Sequence, residues 1–226
     1  MKVIARIYTP YKEKFGIPRQ SGIADSIESK IVFEPEYRRS EALTGIEGYS
    51  HLWIIWNFSE AEREEFSPTV RPPRLGGNKR VGVFATRSPF RPNPIGLSSV
   101  KLVSVEKTER EGTVLFVKGA DMLDGTPIYD IKPYLPFTDS HPDAVGGFAD
   151  EVFDYSVEVV FPSSLLEIIE EKYREPLKKI LSEDPRPSYK KSSEKEYGMR
   201  FADYEIFFVV KNAILTVTRI LTLQIT

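Results

Sequence analysis

The 226-residue sequence predicts a mainly β protein that ends in a small α+β unit. Short runs of strand length recur from residue 2 to residue 131, separated by turn-forming residues. They are not interleaved with long helical patterns, which disfavours a doubly wound sheet and leaves a barrel or a sandwich. The one sustained helical period comes after residue 160 and is followed by two further strand patterns.

Taken in order, Lys2 to Tyr8 alternates and reads as a strand closed by Thr9-Pro10-Tyr11. Residues 12–24 show no hydrophobic period and read as irregular. Ser26 to Phe33 alternates again, and Glu36 to Leu43 has the pattern of a short helix stopped near Gly45. His51 to Phe58 is a continuous apolar run, as expected of a strand buried on both faces, with Trp53 and Trp56 in the core. Arg80 to Ala85, Ile95 to Val105, Thr113 to Lys118 and Thr126 to Ile131 continue the β pattern. His141 to Asp150 reads as a linker or lid. Residues 1–145 are therefore expected to form the β domain and 146–226 the α+β unit. In the second part Val152 to Phe161 is a strand, and Ser164 opens a Ser-x-x-Glu capping box for a helix that Pro176 should kink or divide. Residues 203–210 and 213–223 form two strands joined in a hairpin at Lys211-Asn212.

With 41% hydrophobic and 28% charged residues the chain buries a real core. No apolar run is long enough to span a membrane, and the start of the sequence lacks a signal-peptide layout, so a cytoplasmic protein is expected. The absence of cysteine excludes disulfides, thiolate nucleophiles and Cys-based zinc sites. Only His51 and His141 are present, ninety residues apart, so no metal site is expected. The net charge of −2 argues against a nucleic-acid partner, but its distribution argues for one. From Phe66 to Val105 there is no acid, while Arg71, Arg74, Lys79, Arg80, Arg87, Arg91 and Lys101 supply seven cations. Such a stretch attracts phosphate or carboxylate groups.

Four segments have the composition of a site. In Gly82 to Leu97, three prolines in six residues stiffen a loop that projects Arg87 and Arg91. Preorganised guanidiniums suit carboxylate or phosphate recognition, though a structural turn with solvated arginines fits equally. In Lys14 to Gln20, Gly16 and Pro18 flank an Arg19-Gln20 pair whose amide has the donors and acceptors to read a base edge. Alone, it reads as a surface loop. Asp121 to Pro127 places Asp124 at a tight turn, either as an exposed carboxylate for a sulfonium or ribose or as the anchor of an Asx-turn. Glu183 to Lys191 follows the helix, with Tyr189 suited to stacking on a base and Arg186 and Lys190 to holding phosphate. Alone, it reads as a helix stop and a charged loop. His51 by itself reads as a structural strand-start residue and His141 as solvated. No Gly-x-Gly-x-x-Gly, Walker, His-Glu-x-x-His or Gly-x-Ser-x-Gly motif occurs.

Five segments together carry a resemblance. They are KFGIPRQSG (14–22), EGYSHLWI (47–54), RPPRLGGNKRVGVFATRSPFRPNPIGLS (71–98), DMLDGTPIYDIKPYLPF (121–137) and DPRPSY (184–189). In this order they resemble the TsaA-like, or TrmO, family over nearly the whole chain. The resemblance implies an S-adenosylmethionine domain built as a β-barrel rather than a Rossmann fold, working as a homodimer. It implies N6-methylation of threonylcarbamoyladenosine beside the anticodon of a tRNA. It also implies cofactor contacts from Pro18, Arg19, Gln20, His51, Leu52, Arg87, Leu97, Leu123, Asp124, Gly125 and Thr126. Arg87, Asp124 and Tyr189 are the expected catalytic residues. RNA contacts are expected from Arg71, Arg74, Lys79, Arg80, Arg91, Arg186 and Lys190.

The expected reaction is a direct in-line transfer from the sulfonium to N6, in which the protein supplies position and electrostatics. The N6 lone pair is delocalised, so a base or a cationic neighbour that favours its deprotonated form would help. Arg87 and Arg91 are candidates for holding either the cofactor carboxylate or the threonyl carboxylate. Rival readings are another acceptor, a non-catalytic S-adenosylmethionine or RNA-binding module, and a phosphate-binding hydrolase. The last lacks a metal cluster or a nucleophile triad in the sequence.

Overall fold

A computed structural model describes residues 1–61, 65–72, 75, 79–152, 155–186 and 195–223. The expected fold class is the one observed. Six strands close an antiparallel barrel: β1 (Ala5–Tyr8), β2 (Glu28–Phe33), β3 (His51–Asn57), β6 (Ile95–Thr108), β7 (Gly112–Lys118) and β8 (Thr126–Pro133). Their order around the barrel is β1-β2-β7-β6-β3-β8. A two-stranded ribbon, β4 (Thr69–Val70) with β5 (Val81–Gly82), lies in the connection between β3 and β6.

Alternation builds the barrel core. On β3, Leu52, Ile54 and Trp56 point inward and are buried, while His51, Trp53, Ile55 and Asn57 are only half-buried. They meet Ala5, Ile7, Ile31, Val100, Leu115, Val117 and Ile128 inside. The expectation that β3 is buried on both faces is therefore corrected. The strand belongs to a barrel wall, and its apolar outer row is covered only in part. Trp53 is on that outer row, where its indole donates to Asp139 at 2.8 Å and pins α1 (Pro136–Asp139) to the wall. Only Trp56 is core.

The second part is a four-stranded sheet, β10 (Tyr197–Phe201), β11 (Tyr204–Lys211), β12 (Ile214–Thr222) and β9 (Glu158–Val160), in that order. Helices α2 (Ser163–Leu166) and α3 (Glu171–Ser182) accompany it. The hairpin turns at Asn212 and Ala213, both at positive φ of 51° and 60°. That is the geometry of a two-residue type I′ turn, matched to the right-handed twist of its strands. The helix divides at residues 167–170, not at Pro176, which sits inside α3 with its ring buried. Ser164 lies inside α2 and not at its start; Pro162 occupies the N-cap position, with no side-chain cap hydrogen bond. β10 has too short a pattern to be read from sequence. Residues 36–43 form single 3-10 turns, and among the described residues of 80–85 and 152–161 strand is found at Val81–Gly82 and Glu158–Val160 alone. Among the described residues no helix is long and apolar enough to cross a membrane.

The long loop between β1 and β2 ties the parts together. Tyr11, Ala24 and Ile27 are buried in the same cluster as Leu177, Phe201 and Phe208, with Phe15 and Ile17 packed against it. Phe15 stacks on Phe208 with ring planes 2° apart. At Gly16, φ is +94° and a Cβ would fall 2.2 Å from the Met199 sulfur, so loop and sheet touch at backbone distance.

Candidate functional site

An antiparallel barrel sends alternate connections to alternate ends. The connections 9–27, 58–94 and 119–125 therefore leave from one end, and they hold three of the four segments singled out in the sequence.

The 119–125 connection is welded to the first loop. The Gly22 amide donates to the Gly119 carbonyl at 2.9 Å. The Asp124 amide donates to Tyr11 O, and its carboxylate accepts the Thr9 amide at 2.9 Å and the Lys12 ammonium at 2.8 Å. Asp124 is thus neither an Asx-turn anchor nor an open carboxylate. It is a half-buried staple between two loops, with Lys12 as the cation beside it. Gly125 turns the chain at φ +76° with open space where a side chain would be, and the Thr126 hydroxyl closes the turn on Leu123 O at 2.7 Å.

The Pro-stiffened loop reaches the same place. Arg87 is exposed, and its Nη1 donates to Gln20 Oε1 at 2.5 Å. Beside this pair lies Asp121, to which the sequence reading gave no role. Its carboxylate accepts the Ser98 hydroxyl at 2.5 Å, and Ser98 in turn accepts the Trp56 indole at 3.0 Å. Burial, the largest effect, raises the Asp121 pKa above the ordinary aspartate value. The Ser98 bond, the Ser21 amide and the Arg87 charge act against it. Burial also raises the Tyr11 hydroxyl, with the Asp121 charge adding to the effect. Among the described residues that hydroxyl has no hydrogen-bond partner.

Arg19 links the site to the segment after α3 by donating from Nη2 to the Asp184 carbonyl at 3.0 Å. Asp184, at φ 50°, is bridged twice by Arg186, at 2.7 and 3.0 Å, and accepts the Tyr155 hydroxyl at 2.8 Å. Arg186 was expected to face RNA. Instead it is 8% exposed and bonded to a carboxylate that is itself buried. Tyr189 and Lys190 lie outside the described residues.

Not every expected cofactor residue is here. Pro18, Arg19, Gln20, Arg87 and Leu123 to Thr126 share this end. His51 and Leu52 pair with Lys101, Val100 and Pro133, at the far end of β8 from Thr126. That is about 20 Å away along the strand. Leu52 points into the core, and His51 takes Ser50 Oγ and the Tyr134 ring as neighbours. Leu97 lies on the outer face of the barrel, 58% exposed. Of the RNA set, Arg71, Lys79 and Arg80 are exposed. Arg91 is half-buried and donates to the Thr86 and Ser88 carbonyls, so it braces its own loop. Arg74 lies outside the described residues. Among the described residues no three acidic or histidine side chains gather as a metal site requires.

Two family models match this chain. Residues 6–140 match the tRNA-methyltransferase O N-terminal domain, and residues 155–223 match the TrmO C-terminal domain. The chain belongs to the TrmO family. It is 41% identical over 218 residues to the Escherichia coli protein named tRNA (adenine(37)-N6)-methyltransferase, covering 93% of this chain and 92% of that one. It is 38% identical over 177 residues to a Pyrococcus abyssi protein named a "probable S-adenosyl-L-methionine-binding protein", covering 73% and 90%. The crystal structure of TrmO from Pseudomonas aeruginosa superposes with a TM-score of 0.77 at 31% identity, covering 98% of this chain and 97% of that one. The TrmO barrel thus replaces the Rossmann sheet that the absent glycine motif had already disfavoured.

Proposed function

We propose that this TrmO-family chain is a cytoplasmic S-adenosylmethionine-dependent methyltransferase for N6 of adenosine 37 in tRNA, with threonylcarbamoyladenosine as the acceptor. The observation that carries the reading is the convergence of three loops at one barrel end, where Arg87 is bonded to Gln20, Asp121 to Ser98 and the 123–126 turn to Thr9.

The residues present fit a zwitterionic sulfonium nucleoside. The open face of Gly125 admits a close ligand, the half-buried Leu123 supplies apolar contact, and the exposed Arg87 guanidinium suits a carboxylate. When bound, S-adenosylmethionine supplies an electrophilic methyl group. The protein's part is orientation. Asp121 holds the Ser98 side of the site, Gln20 holds Arg87, and the Asp124–Lys12–Thr9 staple fixes the turn. Cationic Arg87 and Lys12 favour the deprotonated form of an N6 flanked by a carbonyl. Arg71, Lys79 and Arg80 on the neighbouring ribbon provide phosphate contacts.

We further propose a homodimer. His51 stands at the far barrel end, and a second copy is the simplest means of bringing it to the pocket. The exposed Leu97 and the half-buried Trp53 and Ile55 give the β3–β6 face an apolar outer surface suited to that contact. In this reading residues 1–145 form the methyltransferase domain, and 146–226 hold its first loop and complete the site through the DPRPSY segment.

Mass spectrometry of tRNA nucleosides after incubation with isotope-labelled S-adenosylmethionine tests the reading. Label on threonylcarbamoyladenosine alone is the expected result. Label on unmodified adenosine would indicate another acceptor. Cofactor binding without transfer to total tRNA would indicate a regulatory module.

A further inference from the structure

The acid-free stretch contains more than cations. Phe66 and Phe84 are 56% and 72% exposed, although each is a large apolar ring that water disfavours. They lie next to one another with centroids 6.2 Å apart and planes 25° from parallel. Arg91 lies over Phe84 at 5.9 Å.

The backbone holding Phe84 is not loose. Phe84 is the middle residue of the turn Val83–Ala85, whose first side chain is buried. The Val83 amide donates to Pro68 O at 3.0 Å, and the Thr86 amide and hydroxyl both return to Val83 O. Arg91 locks the following residues by donating to Thr86 O. The ring is therefore held in water by a braced turn, which is what a preorganised contact requires.

Exposed Arg71, Lys79, Arg80 and Arg87 lie in sequence between and just after the rings, while the acids Glu60, Glu62, Glu64 and Glu65 precede Phe66 and stand outside the stretch. A second copy would bring the same cations face to face if it were seated here. A polyanion with unpaired bases meets the pair with complementary charge and flat π faces.

We propose that Phe66 and Phe84 form a stacking platform for an unpaired base of the RNA substrate, flanked by cations that hold its phosphates. This rests on the reading of the substrate as a tRNA loop. Sequence-tolerant stacking of this kind weakens about 5-fold or more per base when the ring is removed.

The test is fluorescence anisotropy of a labelled anticodon stem-loop RNA with the full chain across a salt series. Phe84→Leu is expected to weaken binding at least 5-fold at every salt concentration, with an unchanged salt slope. Phe84→Tyr is expected to restore wild-type affinity, since leucine keeps the apolar bulk and tyrosine keeps the ring. Arg80→Ala is expected to reduce the slope by about one. Leucine binding as tightly as phenylalanine overturns the platform. So does sedimentation showing that Phe84→Leu dissociates an oligomer, because the rings would then cover a second copy. Wild-type protein that fails to bind the RNA refutes the proposed function itself, whereas normal wild-type binding with an indifferent Phe84→Leu refutes only the platform.

Discussion

Gly96 illustrates what a single position contributes to this site. A Cβ there would fall 2.2 Å from Trp56 Cε2, so glycine is what lets the indole lie across β6 and reach Ser98. Gly96→Ala should force the ring aside and destabilise the fold by about 1–3 kcal/mol. A denaturant midpoint within error of wild type would contradict this. Asp121, at the other end of the same chain of bonds, makes a prediction about pH. The folded protein holds its proton more tightly than the unfolded chain does. Stability is therefore lost as pH rises from the ordinary aspartate value to the raised one. Asp121→Asn removes that loss, so denaturant melts at stepped pH should show the variant gaining on wild type across that window. A difference that stays flat with pH argues against a desolvated carboxyl.

Among the elements, the segment after α3 has its strongest link within itself. Asp184 and Arg186 are 1% and 8% exposed, and Arg19 and Tyr155 meet them. Arg186→Ala leaves a buried carboxylate uncompensated and should cost about 3–5 kcal/mol. Joint replacement of the pair by apolar residues should cost much less, and thermal melts of both variants decide the point. The sequence reading gave this arginine to RNA because a charged residue between two prolines resembles an exposed loop, and only the fold shows that the carboxylate two residues earlier turns back to meet it. The same limit applied elsewhere. Most of the barrel strands were legible because alternation is a local property, and so was the C-terminal hairpin to within one residue, whereas β10 and the short extent of β5 and β9 were not. The break at residues 167–170 was not, because it answers to how two helical pieces seat on a sheet. Asp124 was visible as a turn residue, yet its partners Thr9 and Lys12 lie more than a hundred residues earlier. Asp121 and Phe84 sat inside recognised segments, and burial in one case and exposure in the other set them apart.

At the scale of the molecule, a slightly acidic protein places an acid-free run of cations, Arg71 to Arg91, in one connection of one barrel end. The protein's affinity for tRNA should therefore fall steeply between low and physiological salt, with the slope set by residues 71–91 and not by net charge. A slope near zero, measured by filter binding, would contradict that. The central claim is that the loops at this end form the methyl-donor pocket. Calorimetric titration of S-adenosylhomocysteine into wild type, Arg87→Ala and Lys107→Ala tests it most directly, since Lys107 is an exposed cation at the opposite end of β6. The account predicts at least a 10-fold loss of affinity for Arg87→Ala and none for Lys107→Ala. Undiminished binding by Arg87→Ala would place the pocket elsewhere.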